Sequence, residues 1–526
     1  MKRVPVVIVA LAALVLLYVR LLSEQTAQSK TLATFGILLL ASLALLAWLL
    51  VASGYSRRVR LGVLGAVFAA LAGFVSLVRV RGVTGDFIPV LEPRWRPKER
   101  SVAAPPPAPA PSALPSAAAE PVAAKSEPRP TSSPRVAATL NDYPQFLGPN
   151  RDGTLSGFRL ARDWEKRPPK LLWRRPVGLG WSAFAIASGR AITQEQRGQE
   201  EVVAAYDLAS GRPLWVHADR VRFDSVIAGD GPRAVPTIDG GRVFTVGSTG
   251  LLNALDVESG RKLWSHDIVK ESDAIVPDFG KVTAPLVAAG NVVVSAGGAG
   301  ERSLIAYKKD TGERAWAAGS DRSGYGSPAL LTLLGRSQLL AFNASSISAH
   351  DPATGRVLWQ HAWPPQQPNV AQPLKVSDER VLFSAGYGVG SKLFQIAAAG
   401  DDVYEARLVW ESPRLKAKFV NMVLLDGFVY GLDDGILACL DPATGERKWK
   451  AGRYGHGQMI LVERTLLVQT EEGELVLVDP SPEGLKEVAR FGALDAKTWN
   501  PPALAAPYLL VRNDKEAACY ELPIER

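Results

Sequence analysis

The feature that most constrains this chain is a frame that returns along most of its length: an Asp, a Gly four residues on, and a Trp four residues after that. It reads Asp207, Gly211, Trp215; Asp256, Gly260, Trp264; Asp351, Gly355, Trp359; and Asp441, Gly445, Trp449. Lys308, Gly312 and Trp316 keep the frame with the Asp replaced. A short apolar run precedes each turn: VVAAYD, LLNALD, SLIAYK, SISAHD, ILACLD. Asp bonds local backbone and Gly accepts a positive φ, so the frame is a tight turn between two strands. The Trp then falls on the second of them, where a large ring fills the gap between stacked sheets.

Trp173 and Trp410 extend the series, and the seven tryptophans stand 39 to 52 residues apart. Two further strands lead into each unit, as AVPTIDG and RVFTVGS do before LLNALD. Four strands per unit at this spacing is the pattern of a propeller blade. A unit ending near residues 485–491 keeps the strands GELVLVD and LKEVARF but has no Trp. After it come only three strands, TWNPPAL, YLLVRN and AACYEL, and LLWRR around Trp173 supplies the fourth. The prediction is an all-β, eight-bladed β-propeller of four-stranded blades over residues 140–526. Strands from both ends of the domain close the ring and leave no open seam.

The preceding segments are of another kind. Residues 4–19, 32–52 and 61–78 are apolar and uncharged, and each approaches or reaches the length of about 20 residues that crosses a bilayer. Residues 1–80 are therefore expected to form a bundle of three transmembrane α-helices. Lys2 and Arg3 suit a signal peptide as well, but no convincing small-residue cleavage site follows and two more spans do. Arg57, Arg58 and Arg60 lie between spans two and three, which with Lys2 and Arg3 puts the N-terminus in the cytoplasm. The expected location is a multi-pass protein of the inner (cytoplasmic) membrane with its propeller on the periplasmic side. Residues 81–100 read as a juxtamembrane segment. Residues 101–139 hold ten prolines among Ala and Ser, and such a segment buries no core and forms a disordered, extended tether.

Charge follows this division. The net charge is +8, but residues 1–139 carry 16 Lys and Arg against 6 Asp and Glu, and the remainder 44 against 46. A near-neutral propeller removes the argument for a nucleic-acid partner. With two cysteines and five histidines there is neither a disulfide scaffold nor a Cys- or His-rich metal framework. Cys439 and Cys519 occupy equivalent third-strand positions and read as small buried hydrophobes.

The repeated frame resembles that of the bacterial PQQ-repeat, quinoprotein-like β-propellers, a family that includes BamB of the outer-membrane β-barrel assembly machinery. The opening PQFLGPNRDG (residues 144–153) and the ending WNPPALAAPYLLVRNDKEAACYEL resemble the same group. That resemblance implies a non-enzymatic, protein-binding scaffold with an envelope protein as partner and no cofactor. The alternative it implies is a PQQ-dependent alcohol or sugar dehydrogenase, with PQQ and Ca²⁺ in the central funnel. No vicinal cysteine pair of the kind found in many soluble members is present.

In a propeller the first strand of each blade lines the axis, so the residues at its start ring the funnel. Blade by blade these are Trp181 with Ser182, Arg233, Lys281, Tyr325, Asn369, Lys418 with Asn421, His456 with Gln458, and Trp499 with Asn500. Asp278 is the one acid found at such a position. A cationic and aromatic ring suits either an anionic ligand or a solvated channel, and lacks the carboxylates that Ca²⁺ prefers. No catalytic or metal-binding set is assigned. Of the histidines, His456 alone faces the funnel; His217, His266, His350 and His361 follow the repeat.

Overall fold

The structure, a computed structural model, describes residues 3–95 and 141–525 apart from residues 24, 26, 226, 366, 367 and 401. The tether expected at 101–139 lies outside the described residues. Three helices come first: α1 (Val4–Leu17), α2 (Ala27–Val51) and α3 (Arg57–Leu77). All three are long and apolar enough to cross a membrane, α1 by continuing through a π-turn to Leu22. Their apolar side chains stay exposed, Val6 at 68%, Leu22 at 71% and Phe68 at 75%, where a helix on a soluble core would bury a stripe.

The boundaries differ from the sequence reading. Helix α2 starts at Ala27 rather than residue 32, and α3 at Arg57 rather than residue 61. Arginine is a good helix former whose long side chain keeps its charge in the interface, so the basic residues join the first turns of α3. Ser56 caps that end, its hydroxyl accepting from the Val59 amide. Residues 81–100, expected as a plain juxtamembrane segment, contain a β-hairpin that begins directly after α3: β1 (Val78–Val83) pairs antiparallel with β2 (Pro89–Pro93).

Eight four-stranded antiparallel blades follow in a ring. They span residues 185–219, 237–267, 286–318, 329–362, 374–412, 423–453 and 458–492, and the eighth joins 503–521 to Lys170–Pro176. The expected composite blade is present: Cys519 pairs with Trp173, so the domain's first long strand is the outer strand of its last blade.

The frame residues join neighbouring blades. A Cβ placed on Gly260 would sit 2.4 Å from the Trp215 ring of the blade before, one on Gly355 2.4 Å from Trp316, and one on Gly445 2.7 Å from Trp410. Gly312 meets Trp264 in the same way. The last such contact closes the ring, because Gly211 of blade one lies against Trp173 of blade eight. Each of these glycines has a positive φ, so the residue that makes the turn is also the only type that leaves room for the neighbour's indole. The indole N–H groups donate to the neighbouring turn as well, from Trp173 to Leu208 O and Trp215 to Val257 O, both at 2.9 Å. In all eight blades a register shift lies beside the Trp position, which tilts the outer strand toward the next blade. Blade five replaces the Asp–Gly turn with a longer hairpin, and Trp359 turns instead to Gln338 of its own blade at 2.8 Å. In blade seven Ala489 holds the Trp position opposite Leu477.

Replacing Trp215 with Ala should cost about 3–5 kcal/mol, and Gly260→Val should be comparably damaging because side chain and φ both conflict. Thermal denaturation followed by near-UV circular dichroism would check both, with Ala489→Gly as a mild control.

Candidate functional site

In an antiparallel blade, the lead into the first strand and the turn between the second and third strands share one end. The funnel mouth is therefore built from two residue sets: the leads already named, and turns carrying Tyr387, Glu471 and Asp514. Below it lies a cavity of about 200 Å³ walled by Phe146, Trp181, Phe279, Tyr325, Phe419 and Trp499, with Arg233, Lys418, Asn421 and Gln458 between them. The rings touch in series: Trp181 to Trp499 at 4.9 Å between centroids, Trp499 to Phe419 at 5.3 Å, and Phe279 to Tyr325 at 5.3 Å.

The structure brings Trp181, Arg233, Tyr325, Lys418, Asn421, Gln458 and Trp499 together on this wall, keeps His456 at the mouth, and turns Lys281, Asn369 and Asn500 to backbone carbonyls. Lys281 is buried and donates to Ala296 O at 2.6 Å, and burial pushes its amine down to about 8. Asn369 donates to Asn343 O at 2.7 Å, and Asn500 to Ser182 O at 2.9 Å. The Arg233 guanidinium holds Gly231 O at 2.7 Å and Ala228 O and Gly229 O at 2.6 Å; burial lowers its pKa to about 10. Much of the cationic ring seen in sequence is thus engaged with backbone carbonyls, and the cavity wall is chiefly aromatic.

The chain's own segments enter the channel from both ends. At the far end the lead-in segment crosses the axis. Tyr143 pairs with Ile186 of blade one, Pro144 O accepts from Ile238 N of blade two, and residues Thr154–Leu155 pair with the first strand of blade seven. The buried Arg151 donates to Ala284 O and Pro285 O of blade three and to Pro328 O of the loop entering blade four. Phe146 of this segment forms the floor of the cavity.

At the mouth, the tip of the β1–β2 hairpin enters the funnel. The Gly85 amide donates to Glu471 Oε1 at 2.8 Å, while Lys497 Nζ donates to Val83 O at 3.0 Å and Lys418 Nζ to Gly85 O. Asp86 meets His456 Nε2 at 3.1 Å and Arg453 at 3.7 Å, and Arg81 pairs with Asp514 at 2.9 Å. Glu471 also accepts from the Trp499 indole at 2.8 Å and from the His456 amide at 2.9 Å, so one buried carboxylate ties the hairpin to two blades. Lys418 reaches Gln28 of α2 at 2.7 Å as well. Burial alone would raise the Asp86 carboxyl, but the hydrogen bond and charge of His456, with Lys418 and Arg453, hold it below its usual range.

Glu471, Arg151 and the hairpin tip were not among the residues singled out from sequence. Alternation of Val78 and Val80 before a Thr-Gly-Asp turn was the available signal for the hairpin. Nothing local marks Glu471, whose partner Gly85 is 386 positions away.

A calcium–quinone pair needs converging oxygen ligands. Among the described residues no three His, Cys, Asp or Glu side chains gather in a metal-binding group. The acids at the mouth already accept from His456, Trp499, Gly85 and Arg81. Cys439 and Cys519 are both free and buried.

The fold and its repeat define a PQQ-repeat β-propeller. Residues 199–451, just under half of the chain, match the family described as outer membrane protein assembly factor BamB, and the propeller is a BamB-like PQQ-repeat propeller. No curated protein sequence matches the chain. Among solved structures, BamB from Moraxella catarrhalis is 16% identical, with a TM-score of 0.48, covering 67% of this chain and 97% of that one. The quinohemoprotein alcohol dehydrogenase from Comamonas testosteroni is 14% identical, with a TM-score of 0.52 and 73% and 81% covered. That from Pseudomonas putida HK5 is 13% identical, with a TM-score of 0.51 and 73% and 80% covered. At these identities the dehydrogenases share the fold alone.

Two outcomes test the mouth. Glu471→Ala leaves three buried N–H groups without an acceptor, at about 1–3 kcal/mol each; the melting temperature should fall, and Glu471→Gln, which keeps a carbonyl oxygen, should lose less. Because the Asp86 carboxyl is lowered in the docked state, its contribution is complete above the ordinary carboxylate pKa of about 3.9 and is lost as pH falls through the lower docked value. Acid titration of Trp emission should show a transition in that range which Asp86→Asn abolishes.

Proposed function

We propose that this chain is a membrane-anchored propeller that binds another protein outside the cytoplasmic membrane, a non-enzymatic scaffold of the BamB kind acting in envelope or outer-membrane protein assembly. The observation that carries this reading is the axial cavity. In the enzyme reading that space holds a cofactor. Here it is walled by aromatic rings and entered from both ends by the chain's own segments, with cations bonded to backbone carbonyls. The BamB-type family match supports it independently.

Three helices long enough to span a bilayer supply the anchor. The Gln28–Lys418 contact and the α3–hairpin junction set the start of α2 and the end of α3 on the propeller's side, with Arg57, Arg58 and Arg60 at the opposite end of α3. Read with the positive-inside bias, this supports an extracytoplasmic propeller on the inner membrane. A near-neutral propeller supports a protein partner rather than nucleic acid.

One observation favours the dehydrogenase reading: the tilted Trp181–Trp499 pair with Lys497 Nζ 3.9 Å from the Trp499 centroid, a setting suited to a planar anion. Crosslinking of the full chain in native membranes, beside titration of the purified chain with PQQ and Ca²⁺, separates the two. The scaffold reading expects a specific envelope protein in the crosslinks, no saturable quinone absorbance, and no dye reduction with alcohols or sugars. Saturable quinone binding with substrate-dependent dye reduction overturns it.

A further inference from the structure

The hairpin is seated in the funnel as a ligand would be. The mouth addresses features of a tight turn rather than a long side chain: Lys497 and Lys418 take the carbonyls of Val83 and Gly85, and Glu471 takes the Gly85 amide. His456 and Arg453 take the Asp86 carboxylate, and the Phe87 ring lines the cavity with Lys418 Nζ 5.5 Å from its centroid. The fit is selective at single positions. A Cβ on Gly85 would lie 1.9 Å from the His456 ring, so only glycine enters there, and Phe87 holds a φ of +60°, a costly conformation for an aromatic residue. Of the receptor groups, Glu471 is also held by the propeller itself, accepting from the Trp499 indole and the His456 amide.

The hairpin, by contrast, stands outside the blades, held by this seat and by its continuity with α3. A lone two-stranded hairpin is marginal in water. It reaches the propeller through residues 96–140, a Pro- and Ala-rich stretch, and its seat is a set of polar contacts at the tip. Such an element opens at lower cost than the blades beneath it.

We propose that the β1–β2 hairpin is a built-in plug that occupies the funnel mouth as a stand-in for a partner protein. The segment it stands in for is a tight turn bearing a glycine, an acid and an aromatic residue in succession. The proposal rests on the scaffold reading and deepens it by naming the surface and the partner chemistry. A partner turn displaces the plug by outcompeting a segment tethered to the same chain.

The test uses the full chain in detergent and a fluorescein-labelled peptide of residues 78–93, closed into a hairpin by added terminal cysteines. Gly85→Trp evicts the chain's own hairpin without altering the propeller. The peptide should bind the Gly85→Trp chain at least tenfold more tightly than the unaltered chain, and an Asp86→Ala peptide should lose at least tenfold. In a second measurement, a cavity cysteine introduced as Ser327→Cys should react with maleimide at least tenfold faster once Gly85→Trp is added; both native cysteines are buried. Equal peptide binding by the two chains, no binding by either, indifference to Asp86→Ala, or unchanged labelling at Ser327→Cys each overturns the plug. Because the probe is the chain's own segment, any of these results leaves the scaffold reading standing. An envelope protein whose crosslinking is unaffected by excess peptide overturns the partner half alone.

Discussion

The contact on which this structure depends is the indole of one blade lying on the turn glycine of the next. A four-stranded antiparallel sheet has two apolar faces and cannot bury both alone, so each blade is stable only between neighbours. The buried surfaces of the blades are broad and similar, and broad apolar surfaces of this kind slide. The Trp–Gly contact prevents sliding, because a ring and the space left by a missing Cβ match at one register only. Its N–H bond to the neighbouring carbonyl adds direction to what packing alone leaves loose.

That geometry decides what the centre can be. Eight narrow first strands around an axis leave a channel, and a channel through a small domain must be filled, wetted or plugged. This chain fills it from both ends with its own segments. The closing segments come from opposite sides of the long proline-rich stretch: the hairpin from before it, and the axis-crossing residues 143–155 from after it. Anchor and propeller are consequently parts of one site. The hairpin gives Lys418, His456 and Lys497 partners at the mouth and adds the Gly85 amide to the propeller donors that Glu471 already has.

The fold was legible because its information is local. Asp, Gly and Trp four apart report a turn and the strand after it, and their return reports stacking; even the composite eighth blade follows from one leftover strand at Trp173. The funnel was legible by position and less so by direction. Trp181, Tyr325 and Trp499 line the cavity because rings have few places to go. Lys281 and Asn369 turn to backbone carbonyls instead, and a carbonyl left free in a neighbouring loop has no signature in composition or spacing. Glu471 was hidden for a stronger reason. It lies in an ordinary polar turn, and its role exists only once residues far away in the chain arrive beside it.

The outer strand of the last blade carries a consequence of its own. Residues Lys170–Pro176 are made more than 300 residues before residues 503–521, the strands whose sheet they complete. Until then Trp173 has no sheet to belong to, and the first blade offers Gly211 and a bare apolar flank to solvent. A nascent chain of this design therefore stays an open arc until residues 503–521 arrive, and it becomes a closed body in that one step. A fragment that lacks residues 503–521 keeps an exposed flank at each end of the arc, which is the state that proteases and chaperones recognise.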